Sequence, residues 1–401
     1  MSNGLLAIVA WCLGILKNLS KGLKYMSDEN TERKFVVVLR GPAAVVFPDG
    51  LPIQMTVHSE YGPLAITYAT RRIKVTDSSV CPGHMWIDIR GGAPTLDDAL
   101  ALFPQAGLLL QPLLALSANA AVSHPEIELG FETTLGITER DFFQQYVPSE
   151  SSDALSAARL IDVQATLALM EFVSKSPHRD RLLRAMGQYQ MSLENWSLGG
   201  SILAVAHLWM AVEALTKVRV RVEMELRKLR EPAELAKELG VEIQKLDSTI
   251  RRDFIFREDS DCYSKALKAS DGFEHGFSAV DKLRHLTSSV RDKTAEYVRS
   301  EIFALSDIPQ DVTQRLLASP FNEPQGPGVL AKYFFGKLVG SGESLAKVGN
   351  EYPILQWKQT INSARVNDSK KITNYNVTDL ITPQLADGIS FKAERHEVWK
   401  P

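Results

Sequence analysis

At helical spacing, Asp261, Ser264, Lys268, Asp271 and His275 share one face of a single stretch of chain, while Cys262, Ala266, Ala269 and Phe273 form a parallel apolar stripe. One face carries groups that move protons or hold an anion, and the other packs. Histidine titrates near neutral pH and serves as a general acid or base. Lysine offers phosphate a point charge, without the bidentate fork of arginine. His275-Gly276 also reads as a helix C-terminus, where a cationic histidine is favoured and Asp271 can pair Lys268 or cap the end. The same residues therefore describe either a site or a solvated helix face.

A second candidate lies upstream. Ile202 to Leu215 is apolar on nearly every side, so it belongs at the centre of a helical bundle, and Glu213 is its only acidic residue. A buried carboxylate needs a donor. Glu213 either reaches solvent on the helix flank or faces His275 or Lys268 and tunes their protonation. His207 on the same helix reads as a satisfied core histidine. Beyond it, Lys217, Arg219, Arg221, Arg227, Lys228 and Arg230 are offset by Glu223, Glu225 and Glu231 with no interleaved aromatics. This stretch is a solvated helix or a phosphate-contacting strip.

Other chemistries lack their residues. Cys81-Pro82-Gly83-His84 is a single C-x-x-H half-site, better explained as a loop than as a metal ligand pair. Gly340-Ser341-Gly342 lacks phosphate-loop flanks and reads as a turn. The signatures of P-loop NTPases, dinucleotide-binding folds, common serine hydrolases and zincins are absent. The expectation is a protein with no nucleotide cofactor and no metal.

Along the chain, Phe35 to about Val147 is strand-like, with the runs Phe35 to Leu39 and Ile73 to Val75. Turns follow at Pro48-Asp49-Gly50 and Gly91-Gly92. One helical insertion, Asp97 to Ala118, has Thr95 as N-cap and is broken by Pro104 and Pro112. The alternation from Glu126 to Thr133 predicts a half-buried strand with Ile127, Leu129 and Phe131 on one face. After the polar linker Pro148 to Asp153 the periodicity becomes helical. Helices are expected over Ala154 to Ser174, Asp180 to Gln190, Ser201 to Lys217 and on through the basic stretch to Arg230. Further helices follow over Ala233 to Leu239, Asp261 to His275 and Val280 to Ala304. Prolines and glycines near 320–328 mark a boundary. Val329 to Gly336 reads as a short helix, followed by a strand-rich tail.

The fold class is thus α+β: a β-rich domain over 34–147 with one helical insertion, a helical domain over 154–319 and a small appendage over 329–401. Residues 1–33 form an N-terminal extension. Its apolar run, Leu5 to Leu16, is shorter than the ~20 residues a bilayer span needs, and Lys17, Lys21 and Lys24 follow it where a signal peptide would place them first. A mis-assigned start at Met26 or an amphipathic surface helix accounts for it. Three cysteines without paired spacing fit a reducing cytoplasm. A net charge of -3 gives no global pull toward nucleic acid or anionic membrane, so any such contact is local.

The apolar helix containing Leu208-Trp209-Met210-Ala211-Val212-Glu213, together with a later helix ending in His275-Gly276, resembles the HEPN superfamily, in particular its ApeA-like branch. Ala269 to Gly276 and Arg140-Asp141-Phe142-Phe143-Gln144 are also similar to the MauJ group of methylamine-utilisation proteins. The resemblance spans about residues 35 to 305. It implies a helical bundle, a homodimer, a cytoplasmic role in stress, defence or accessory metabolism, and RNA binding or weak metal-independent RNA cleavage. The implied site is His275, Lys268 and Asp271, supported by Glu213. The alternative is a catalytically inactive interaction or dimerisation protein. The HEPN signature pairs an arginine with the histidine across four to six residues, and here those slots hold Lys268, Ala269 and Ser270. Metal-free cleavage requires a base, an acid and a cation for the phosphorane. Lys268 and His275 lie about 10 Å apart along an ideal helix axis.

Overall fold

A computed structural model describes residues 33–41, 44–48, 51–76, 79–135, 139–145, 158–197, 199–276, 279–318, 321–327, 331–339, 354–367, 372–384, 388 and 390–399. The expectations for residues 1–32, a start at Met26 among them, and the linker at 148–153 lie outside these residues.

The N-terminal part is an antiparallel sheet. Strands β1 (Lys34–Gly41), β3 (Ile53–Ser59), β4 (Gly62–Thr76), β5 (Ser79–Gly92), β6 (Glu126–Glu132) and β7 (Phe142–Gln144) are ordered β3-β4-β5-β1-β6-β7. The register Ser59↔Gly62 leaves a two-residue turn whose exit, Gly62, has φ 105°. That conformation is open to glycine at no steric cost. The strand expected over Glu126 to Thr133 is present, but its burial does not follow the alternation: Ile127, Leu129 and Phe131 are half-buried and Glu132, on the other set, is buried. Gly130 is buried too, and a Cβ there would meet Leu100 at 2.8 Å. Cys81 and His84 lie within β5 and not in a loop.

Helix α1 (Leu96–Gly107) packs on β1, β5 and β6 of this sheet, and α2 (Gln111–Ala118) follows it toward the helical part. Thr95 caps α1 by accepting from the Asp98 N–H at 3.1 Å. Pro104 sits inside α1 without ending it, while Pro112 stands in the first turn of α2, where its missing N–H costs nothing. Gly107 lets α1 close on the sheet, since a Cβ there would lie 2.8 Å from Ile89 and 2.9 Å from Leu39.

The helical part comprises α3 (Val163–Lys175), α4 (Arg179–Glu194), α5 (Ser201–Arg227), α6 (Pro232–Glu238), the single turn α7 (Leu246–Thr249), α8 (Ser260–Glu274), α9 (Val280–Leu305) and α10 (Gln310–Leu317). α5 is central and mostly buried, as its apolar residues require. The stretches Leu96–Ala118 and Ser201–Arg227 are long and apolar enough to cross a bilayer by composition, but 56% and 67% of their apolar windows are buried inside the fold, as in core helices.

Two segments differ from the sequence expectation. The helix expected from Ala154 begins later, because Ala158–Leu160 is a strand, β8, paired in parallel with β2 (Val45–Val46). Asp162 then caps α3 by accepting from the Ala165 N–H at 3.0 Å. Likewise Val329 to Gly336 is not helical: β9 (Ala331–Val339) pairs with β12 (Ser390–Trp399). The tail strands β10 (Ile354–Asn367) and β11 (Ile372–Gln384) form a hairpin, and β11 pairs with β8, giving a sheet ordered β10-β11-β8-β2. One apolar core runs from Phe35 in β1 to Leu316 in α10. The molecule is α+β, with its antiparallel sheet near the N-terminus.

Buried arginines tie these parts together. Arg299 of α9 donates to the carbonyls of Leu116 (3.0 Å), Ser117 (3.1 Å) and Phe321 (2.9 Å), and also to Leu316. Arg159 donates to Ala118 (3.1 Å) and Asn119 (2.6 Å). Together they satisfy the last carbonyls of α2, where the helix dipole also favours a cation. Burial pulls both guanidiniums down, to about 10. Asn119, left-handed at φ 49°, closes the same end by donating to Phe321 O (2.6 Å) and accepting from the buried Tyr189 hydroxyl (2.6 Å).

Candidate functional site

Helix α8 forms because Asp259 caps it, accepting from the Cys262 N–H at 3.0 Å, and because Cys262, Ala266 and Ala269 bury against α5 and α9. Asp259 also receives Lys293 Nζ (2.6 Å) and the Tyr297 hydroxyl (2.9 Å) from α9. Lys293 first, then the Cys262 N–H and Tyr297, hold its carboxyl down at about 2. Burial pushes the Cys262 thiol up, and the side chain packs in the apolar core. The expected apolar stripe holds except at its end, where Phe273 is 45% exposed and Gly272 is buried in its place.

The opposite face of α8 carries Asp261, Ser264, Lys268 and Asp271 outward, all exposed. Asp261 is bound to Lys265 at 2.7 Å. His275 is the exposed C-cap, donating its backbone N–H to the Asp271 carbonyl at 3.1 Å, and Gly276 follows at φ 64°. That bond closes the last turn of the helix, so the run ends as a helix terminus, in agreement with its sequence.

Glu213 does not face Lys268 or His275. It stands half-exposed on the flank of α5, 3.8 Å from the Arg251 guanidinium. Arg251 comes from a π-helical turn, Ile250–Ile255, that continues α7. Its Nε donates to Thr216 Oγ1 at 3.1 Å, and its guanidinium lies 5.4 Å from the Trp209 ring centroid. The next residue, Arg252, forms a two-pronged pair with Asp253. The chain leaves this turn through Arg257 and Glu258, at φ 50° and 64°. Consecutive non-glycine residues in that region are strained, and the Phe256 N–H to Arg251 O (2.9 Å) and Glu258 N–H to Arg252 O (3.0 Å) bonds hold them.

Beneath the turn, Trp209, Phe256, Tyr263 and Tyr297 form an aromatic cluster with ring centroids 5.5 to 6.5 Å apart. The Tyr263 phenol connects it to α8. Burial pushes this phenol up, the charges of Arg251 and Arg252 oppose the rise, and Asp271 adds to it. Asp271 lies one helical turn before His275. Arg251, Arg252 and Tyr263 escaped the sequence reading. Their signal was present in Arg251-Arg252-Asp253, but a π turn leaves no distinct periodicity.

His207 is satisfied as expected but half-buried and not in the core: its Nδ1 lies 2.9 Å from Gln188 Oε1, and burial lowers its imidazole. Asp141, in the upstream run, pairs with Arg33 at 2.7 Å. Among the described residues, no group of three or more His, Cys, Asp or Glu is arranged to hold a metal. No protein-family description, curated protein or solved structure matches this chain.

Proposed function

We propose that this chain is a HEPN-type RNA-binding protein whose contact face is the end of α8 and the adjoining π turn. Lys268 and His275 meet the RNA from α8, Arg251 and Arg252 supply phosphate partners, and Asp271 sets the charge around Tyr263. The observation that carries this reading is the Arg251 guanidinium, 5.4 Å from the Trp209 ring centroid and only 3.8 Å from its nearest carboxylate, Glu213, on a turn whose Phe256 packs against Tyr263 of α8. A phosphate would take the place of Glu213, whose 3.8 Å contact with Arg251 is long for a charged pair. The Arg251 guanidinium thereby offers what the missing arginine of the HEPN signature would have supplied, while Arg252, paired with Asp253, adds charge beside it. Glu213 serves here as the acceptor that the phosphate displaces and not as an acid or base, so any metal-free cleavage rests on His275.

The test is fluorescence anisotropy with single-stranded RNA at low salt, alongside a cleavage assay in a chelator. Joint substitution Arg251→Gln and Arg252→Gln is expected to weaken RNA binding roughly tenfold or more. His275→Ala keeps the binding and removes the cleavage. Equal affinity in the wild type and the double variant overturns the reading.

A second reading, a non-catalytic homodimer, is favoured by a specific patch. Leu203 and Met210 of α5 and Met191 of α4 are 46%, 38% and 42% exposed, on the side where His207 bonds Gln188. Sedimentation of the wild type as a monomer at all concentrations removes it, and a dimer that Leu203→Asp dissociates supports it.

A further inference from the structure

The basic flank of α5 borders a cleft away from α8. Helices α4 and α5 run antiparallel: Gln188 meets His207, and the buried His178 at the start of α4 lies 3.9 Å from Glu225. Arg181 is one turn into α4 from His178, and Arg221 is one turn back along α5 from Glu225. Both therefore line the same cleft, of about 640 Å³, together with Lys217, Ile243, Leu246 and Asp247. Leu246 belongs to the small apolar cluster that joins α5 to α6 and α7, and Ile243 stands 45% exposed above it.

The charges in this cleft are not balanced. Asp247 is occupied by Lys217, Asp180 by Arg179 and Glu223 by Arg219 and Arg227. Among the described residues, the half-buried Arg181 and the exposed Arg221 form no ion pair. Two guanidinium forks lining one cleft fit the oxygens of a dianion better than those of a single carboxylate. The volume is that of a small-molecule site. Its apolar side, built from Ile243 and Leu246 with no aromatic ring, suits the body of an ester more than a stacked base.

We propose that this cleft binds a small phosphate monoester, with the phosphate on Arg181 and Arg221 and the organic body against Ile243 and Leu246. This site is separate in its residues from the RNA-contacting face and does not depend on it. Asp247 limits the affinity by holding Lys217 away from the phosphate.

Calorimetric titration of the full chain with phenyl phosphate, with a nucleoside 5'-monophosphate and with the parent alcohols tests the proposal. The monoesters are expected to bind and the alcohols not. Arg221→Gln and Arg181→Gln each weaken binding roughly tenfold, the loss of one charge-assisted hydrogen bond. Asp247→Asn frees Lys217 and tightens binding severalfold, an effect of opposite sign that damage to the fold cannot produce. Binding that is equal for esters and alcohols, or unchanged in Arg221→Gln, overturns it. Binding only of an RNA lacking a terminal phosphate, weakened by the same substitutions, also overturns it. Arg251→Gln and Arg252→Gln leave monoester binding unchanged, so failure of one site is distinguishable from failure of the other.

Discussion

Arg299 and Arg251 are the same residue in opposite surroundings. Arg299 is 2% exposed and spends its donors on backbone carbonyls from α2, α10 and the segment after it, with no carboxylate among its bonded partners. Arg251 lies near the surface over Trp209, with one bond to Thr216 and a long contact to Glu213. In the first case four of the five N–H donors are bonded to backbone carbonyls of the fold. In the second, part of the fork remains exchangeable. A guanidinium is available to a ligand when its present acceptors are few and replaceable, and burial with carbonyl acceptors removes that availability.

The largest expected effect tests the buried side of this contrast. Arg299→Met strips donors from several buried carbonyls at once and should lower stability by about 4 kcal/mol, within the range of broken buried networks. Urea denaturation measures it, and a loss as small as that of a surface substitution would break the contrast. Next, Asp259→Ala removes the cap of α8 and should cost about 1–2 kcal/mol. The pH dependence of that carboxyl has a definite sign. Its value falls from 3.8 to about 2 on folding, so its contribution is present above pH ~4 and is lost as pH falls toward 2. Asp259→Asn should flatten the acid limb of the stability curve across that window. Arg251→Gln should cost no more than about 1 kcal/mol, as a partly exposed pair does, while weakening RNA binding. A stability loss matching that of Arg299→Met would place Arg251 among the structural arginines. The smallest effect is expected for Lys268→Ala, exposed on α8, within about 0.5 kcal/mol by thermal melting.

Much of the helical part was legible because its periodicity is strong. The expected spans Asp261 to His275 and Val280 to Ala304 match Ser260–Glu274 and Val280–Leu305 closely. Thr95 as a cap was readable from its position before Asp97-Asp98. Pairing between distant segments was not. Ala158-Arg159-Leu160 has no strand pattern of its own and becomes one by joining Val45–Val46, and Ala331–Val339 is extended because β12 lies beside it. Within the candidate site, the exposed face of α8 was visible as spacing. Its partners were not, because Arg251 reaches Glu213 only through a π turn that shifts the local register. The role of Arg299 was equally hidden, since its acceptors are carbonyls and carry no residue type.

The stapling of α2 also sets a timetable for biosynthesis. The carbonyl of Leu116 and its donor Arg299 are 183 residues apart in the chain. At the roughly 5–20 residues per second of translation, roughly 10–40 s separate their emergence from the ribosome. During that interval the end of α2 exists without its cation, and the nascent N-terminal sheet must wait with an incomplete core. Chaperone engagement is therefore expected to concentrate on chains arrested before Arg299.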